Sequence, residues 1–270
     1  MTRENAEARR ELKKGGKMKV PIYESDSEYI NADNVSCFCN TNLDLLTTQP
    51  RGIVLEFPGL GGGSCLGGSI DLGPYSGNYA EALAREGLVL AYVFPGPWSW
   101  MNIGAVRICD LTVSAIRSRC GLPPSSPLIA TGGSMGGLGG LIYTLHTTHR
   151  VTACAVTCPA LDATAAMSVQ AAFPRTFLSA VAAYDMPLSA ALASISPAAH
   201  ISEMPDVPYL IMADCEDELF PVEEIDRYVE ALRGNGRQVE YIHMEGYTHG
   251  GFTPEARERF TQFIIEKSKL

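Results

Sequence analysis

Apolar positions along the chain come in two alternating textures. Short, almost unbroken apolar runs recur as GIVLEFPG, LVLAYVFPG, SPLIATGG, VTACAVTCP, VPYLIMAD and QVEYIHMEG. Between them lie longer amphipathic stretches: GNYAEALAREG, a segment from about Ile103 to Arg119, MGGLGGLIYTLHTTH, PVEEIDRYVEALRG and TPEARERFTQFIIEKS. A short run with no polar face is a strand covered on both sides, and helices between such strands are crossovers of a parallel sheet. The pattern predicts an α/β chain, a mostly parallel central sheet with helices on both faces. An Ala-rich segment, about 161–200, interrupts the rhythm and is expected to form a small helical cap over one end of the sheet. Ahead of the first run, VPIYE and NVSCFCN have strand-like texture, and residues 1–19 are expected to be a flexible tail. The expected organisation is that tail followed by a single domain over 20–270 that carries the cap. Ligands of such sheets bind beyond the carboxyl ends of the strands, so the loops that follow strands are where chemistry should be sought.

Composition narrows the partners. The 270 residues are 46% hydrophobic and 19% charged, ample for a core, and the formal net charge is -9. A continuous basic patch is not expected, which argues against nucleic acid and against anionic membrane surfaces. The charged start MTRENAEARRELKKGGKMK lacks the apolar core of a secretory signal, and no run is long enough to span a bilayer. A soluble, cytoplasmic protein is expected. Eight cysteines, most of them inside apolar runs, are then expected to be buried thiols rather than disulfides. Cys37 and Cys39 would share one face of a strand, but the spacing of a metal site is missing, and no metal is expected.

Glycine-rich runs are the strongest local signal. PGLGGGSCLGG, from Pro58 to Gly68, fits neither phosphate-binding pattern. Ser69 stands where a P-loop needs lysine, and Ser64 stands where a dinucleotide fingerprint needs its last glycine. The run LIATGGSMGGLGG is different: Gly132-Gly133-Ser134-Met135-Gly136 is G-x-S-x-G, placed between an expected strand and an expected helix. That is the context of a nucleophile elbow, a tight turn that presents a serine hydroxyl above the sheet. Glycines two residues either side let strand and helix backbones crowd together. The N-terminal end of the helix offers free N–H groups to a developing anion.

A serine needs a base. Of the five histidines, His146 and His149 lie at the far end of the helix that Ser134 opens, His243 lies inside a strand, and His200 precedes one. His249, in GYTHGG just after the last strand, stands at the carboxyl pole and is the candidate base. A carboxylate must orient its ring. Asp214, Glu216, Asp217 and Glu218 crowd the end of the preceding strand in DCEDELFP, and the pattern alone leaves the choice among them open.

These stretches together resemble the α/β-hydrolase superfamily from about Gly52 onward. FPGLGGG, GGSMGG, SPAAHISEMPDVPYLIMADCEDELFP and GYTHGG carry the likeness. The third is most similar to the catalytic domains of prolyl-oligopeptidase-type peptidases and related acyl esterases. There a D-x-x-x-P follows the strand, and Asp217 to Pro221 match it. The resemblance implies an α/β-hydrolase fold and a Ser134–His249–Asp217 triad. It also implies an oxyanion hole of the Leu60 and Met135 backbone N–H groups, although Pro58-Gly59 replaces the His-Gly that opens this loop in many esterases. Dienelactone hydrolases share the fold but carry cysteine where this chain has Ser134.

The implied reaction is acyl transfer to water through an acyl-enzyme, with no cofactor. A chain of this length has no room for the large propeller domain of the oligopeptidases, which turns the expectation toward carboxylic esters of small to medium size. An amidase, peptidase or thioesterase with the same triad, and a non-catalytic binder of this fold, remain the alternatives. Trp98 and Trp100, in PGPWSWMN after a strand, are candidate pocket residues. The expected partner is a small-molecule ester, and homo-oligomerisation is left open.

Overall fold

A computed structural model describes residues 29–60 and 77–270. The expected tail, the VPIYE stretch and Cys65 fall outside the described residues. The strands are β1 (Cys39–Thr41), β2 (Gly52–Phe57), β3 (Leu88–Val93), β4 (Leu128–Gly133), β5 (Ala153–Thr157), β6 (Tyr209–Asp214) and β7 (Val239–Met244). They form one seven-stranded sheet in the order β1-β3-β2-β4-β5-β6-β7. Only β1, on the edge, runs antiparallel to its neighbour, and all other pairings are parallel.

Alternation along the strands splits the core in two. Ile53, Leu55 and Phe57 of β2 face one side with Val89, Ala91 and Val93 of β3, while Val54, Leu88 and Leu90 face the other. Side chains of successive strand residues point to opposite faces, so unbroken apolar runs signal cover on both sides. On the first face lie α2 (Ile103–Cys120), α3 (Met135–His146) and α7 (Val222–Gly234). On the second lie α1 (Asn78–Arg85) and α8 (Pro254–Lys267). No helix among the described residues is long and apolar enough to cross a membrane.

The NVSCFCN stretch is strand only at its end. Val35–Cys37 is a 3-10 turn, and β1 begins at Cys39. Cys37 is therefore exposed while Cys39 is buried, and the two do not share a strand face.

Residues 161–200 hold the helices α4 (Ala163–Ala166), α5 (Phe173–Val181) and α6 (Leu188–Ser194). Side-chain bonds tie this segment to the loop after β3. Trp100 Nε1 donates to Thr176 Oγ1 at 3.0 Å, Asn102 Nδ2 to the Ala180 carbonyl at 2.7 Å, and the Ile103 N–H to the Tyr184 hydroxyl at 2.8 Å.

The passage from β4 into α3 brings backbones into close approach. A Cβ on Gly136 would collide with the Phe57 carbonyl, and one on Gly132 with the carbonyl of Gly136. Three backbones, those of β2, β4 and α3, meet there at separations only glycine permits. Gly136→Ala is expected to lower stability by about 3 kcal/mol or more. Urea denaturation checks this. An unchanged midpoint would show that the backbones are not locked at this approach.

Candidate active site

The elbow places the first side chain. Ser134 sits between β4 and α3 with φ 60° and ψ -123°, a left-handed backbone that residues with a Cβ rarely adopt. Its N–H donates to the Thr157 carbonyl at 3.0 Å, and its own carbonyl accepts from Gly137 and Leu138 at 3.0 and 3.1 Å. These bonds hold the strained residue from both sides. The strain turns the hydroxyl out of the sheet and toward the loops at the carboxyl ends of the strands.

The loop after β7 delivers the ring. His249 Nε2 lies 2.9 Å from Ser134 Oγ, and its Nδ1–H donates to Asp217 Oδ2 at 2.8 Å. A carboxylate accepts only, so the proton between them belongs to Nδ1. Nε2 is then the acceptor for the serine hydroxyl. The ring of Phe220 stands edge-on to the imidazole, with centroids 5.5 Å apart.

The loop after β6 delivers the carboxylate. The Asp217 side chain is fully buried while that of His249 is 21% exposed. The second carboxylate oxygen, Oδ1, accepts the N–H groups of Leu219 and Phe220 at 2.8 and 2.9 Å. One oxygen is thereby fixed to the backbone and the other is left for the ring. The two loops are stitched directly, since Glu218 N–H donates to the Thr248 carbonyl at 3.1 Å.

Asp214, the rival acid at the strand end, faces elsewhere. It is fully buried, and its Oδ2 accepts the Gly251 N–H at 3.1 Å and the Cys158 thiol at 3.0 Å. Its Oδ1 has no hydrogen-bond partner among the described residues. Asp214 thus ties the loop bearing His249 to the residue that follows β5. Cys158 is itself left-handed, with φ 43°. Burial, together with its bond to Asp214, pushes the Cys158 thiol far above the ordinary cysteine range. Sequence reading missed this bracket. Its only trace is a cysteine and an aspartate that each follow an apolar run.

Cys158 Sγ, an Asp217 oxygen and a His249 nitrogen lie within 4.8 Å of one another. Each is already committed: the thiol to Asp214, the carboxylate and ring to each other.

The other sequence candidates divide. Leu60 and Gly59 line the cleft beside Ser134, and Met135, the first residue of α3, has one of the N–H groups that a helix start leaves without an intrahelical acceptor. Trp98 also lines the cleft. Trp100 does not line it, contrary to its expected place. It is 1% exposed, stacked on Phe177 at 3.9 Å and edge-on to Phe173 at 6.0 Å. Its indole N–H is used on Thr176. Trp100 is a buried bolt between the β3 loop and α5, one layer behind the cleft wall. His243 is exposed and bonded to Asp226 at 2.9 Å, away from Ser134.

The cleft encloses about 640 Å³, with Phe57, Leu60, Trp98, Phe173, Leu219 and Phe252 among its apolar lining. That volume lies within the ~300–1,000 Å³ usual for small-molecule sites.

The bracket around Asp214 makes a chemical expectation. In the folded protein a thiol reagent should label the exposed Cys37 and spare Cys158, whose thiolate is suppressed and whose sulfur is out of reach. Peptide mapping after labelling, with and without denaturant, checks it. Rapid labelling of Cys158 in the native state would mean that the bracket opens.

A family model for the prolyl oligopeptidase family matches residues 119–266, which include Ser134, Asp217 and His249. No curated protein matches the chain. Among solved structures, a truncated carbohydrate esterase from gut microbiota superposes with a TM-score of 0.62 at 13% identity. The match covers 83% of this chain and 88% of that one. Esterase B from Lactobacillus rhamnosis gives 0.61 at 13% identity, covering 83% and 78%. Dipeptidyl peptidase 4 of Porphyromonas gingivalis gives 0.64 at 15% identity, covering 84% of this chain but 33% of that one. At these identities the structural likeness establishes the α/β-hydrolase fold. The family match extends over more than half of the chain, and with it this protein belongs to the prolyl oligopeptidase family of serine hydrolases.

Proposed function

We propose that the protein hydrolyses carboxylic esters of small to medium size through an acyl-enzyme on Ser134. The observation that carries this reading is the continuous relay from Ser134 Oγ to His249 Nε2 at 2.9 Å and from His249 Nδ1 to Asp217 Oδ2 at 2.8 Å. Ser134 attacks the ester carbonyl and His249 takes its proton. Asp217 holds the ring in the tautomer that leaves Nε2 free and stabilises the imidazolium that forms. The backbone N–H groups of Leu60 and Met135 take the tetrahedral oxyanion. His249 returns the proton to the departing alcohol. Water then enters by the same base and releases the acid.

Two features favour an ester over a peptide. The cleft lining groups Phe57, Leu60, Trp98, Phe173, Leu219 and Phe252, an apolar surface suited to the carbon chain of an ester. Both esterases named above match along most of their own lengths, whereas the peptidase matches along a third of its length. A peptidase or amidase with the same triad is the second reading. It is favoured by the family match itself and by the likeness to a puromycin hydrolase, with a TM-score of 0.59 at 20% identity over 34% of that chain.

A fluorophosphonate probe should label the wild type and not Ser134→Ala. A panel of aryl esters, thioesters and aminoacyl amides should show turnover of the esters first. Asp217→Asn should keep the fold and cut kcat by roughly 10⁴, because the amide favours the wrong imidazole tautomer. Asp214→Asn should cost far less. The opposite ranking would move the orienting acid to Asp214. Absence of labelling at Ser134 would leave a binding protein rather than an enzyme.

A further inference from the structure

We propose that Arg175, stacked on Trp98 in the wall of the cleft, forms a subsite for a carboxylate carried by the substrate, so that monoanionic esters are the preferred class. The inference rests on the ester-hydrolase reading above and deepens it.

Apart from His249, the described residues lining the cleft bring two charges, Glu56 and Arg175. Glu56 is half-buried on β2 and has a partner of its own. Arg175 is exposed, and no described acid pairs with it. Its guanidinium carbon lies 5.6 Å from the centroid of the Trp98 ring. A guanidinium that stacks on an aromatic face keeps its N–H edge available, and that planar fork matches the two oxygens of a carboxylate. A cation that no described acid pairs, facing a cleft of an otherwise acidic chain, is a local exception to the net charge of -9.

The pair is also held in place. Trp98, Trp100 and Met101 all have left-handed backbones, with φ of 48°, 44° and 50°. Such a loop persists only where its surroundings over-determine it. Here the surroundings are α5 itself. Trp100 bonds Thr176, the neighbour of Arg175, and Asn102 bonds the carbonyl of Ala180. Loop and helix are therefore pinned together, and the stack of Trp98 on Arg175 is carried between two fixed supports. Preorganisation of this kind lowers the cost of ordering a long cationic side chain when an anion binds. Gln170, on the same cleft lining, adds an amide donor. One fork with one neutral donor fits a single negative charge better than a dianion.

The carboxylate can sit on the acyl chain or on the alcohol, and two pairs of esters separate these sources. The first compares para-nitrophenyl hemiglutarate with para-nitrophenyl pentanoate. The second compares the acetyl esters of meta-hydroxybenzoate and meta-hydroxybenzamide. In one pair the anionic member should have a kcat/KM roughly tenfold above its neutral counterpart, as a charge-assisted contact gives. Arg175→Gln should bring that ratio to about one, and Arg175→Lys should restore only part of it, since lysine keeps the charge but loses the fork and the stack. A readout independent of turnover is tryptophan emission, because Trp98 and Trp100 are the only tryptophans. Glutarate should change the emission of Ser134→Ala saturably, glutaramide should not, and adding Arg175→Gln should abolish the response. A glutarate response that depends on Arg175, without turnover of any ester, would support the subsite and refute the hydrolase reading. Ratios near one in both pairs, or ratios unchanged in Arg175→Gln, would overturn the subsite even with ester hydrolysis intact.

Discussion

The site depends on one kink in the backbone. Ser134 is held at φ 60° and ψ -123°, in a region that costs a residue with a side chain about 1–3 kcal/mol. The cost is offset because everything around it needs the same geometry. Its N–H is tied to Thr157 on β5, its carbonyl opens α3, and the glycines at 132 and 136 let β4, α3 and the end of β2 converge. Relaxing the kink would separate those backbones and break the start of the helix. The same convergence brings the loop after β2 alongside the serine. A Cβ built on Gly59 would stand 3.9 Å from that of Ser134. The elbow thereby fixes the hydroxyl, the helix start and the neighbouring loop in one step.

The remaining members come from loops, which are held by a division of labour between two buried carboxylates. Asp217 gives one oxygen to two backbone N–H groups and the other to the imidazole, so its orientation cannot drift without breaking its own turn. Asp214 instead grips Gly251, two residues beyond His249. Its Oδ1 has no partner among the described residues, so the anchoring falls to Oδ2. A glycine-containing loop that carries the proposed base needs an anchor, and this carboxylate, with the Cys158 thiol behind it, serves as one.

How far all this was legible in the sequence follows from the range of the forces involved. Strands such as GIVLEF and YLIMAD were readable because cover on both faces leaves an unbroken apolar run. The elbow was readable because backbone crowding demands glycine at fixed offsets. His249 emerged because only one histidine follows a strand at the right pole. The choice between Asp214 and Asp217 was not written in any periodicity. It depends on a turn in which Asp217 binds the N–H groups of Leu219 and Phe220, and only the family pattern pointed to it. Trp98 and Trp100 were indistinguishable for a similar reason: with both backbones left-handed, neither helix nor strand alternation says which ring faces the cleft. The short β1 was overestimated because an edge strand needs only three paired residues, and the NVSC before it satisfies its backbone as a 3-10 turn.

The residues of the proposed chemistry and those of the proposed substrate subsite come from different parts of the chain. The serine, its base and its acid stand at the ends of β4, β7 and β6, where the parallel sheet fixes their spacing. Gln170, Ala172, Phe173, Arg175 and Thr176 come instead from the segment between β5 and β6, and Trp98 from the loop to which that segment is bolted. The bolt is Trp100: buried against Phe177 and Phe173, it couples the position of the recognition surface to α5 rather than to the sheet. Arg175 reaches the cleft beside Trp98 and can vary without moving Trp100. Phe173 and Thr176 line the cleft and also hold Trp100, so changing either would shift the wall relative to Ser134 as well as alter its surface. On the proposed reading, selectivity is separable from the position of the wall at Arg175, and coupled to it at Phe173 and Thr176.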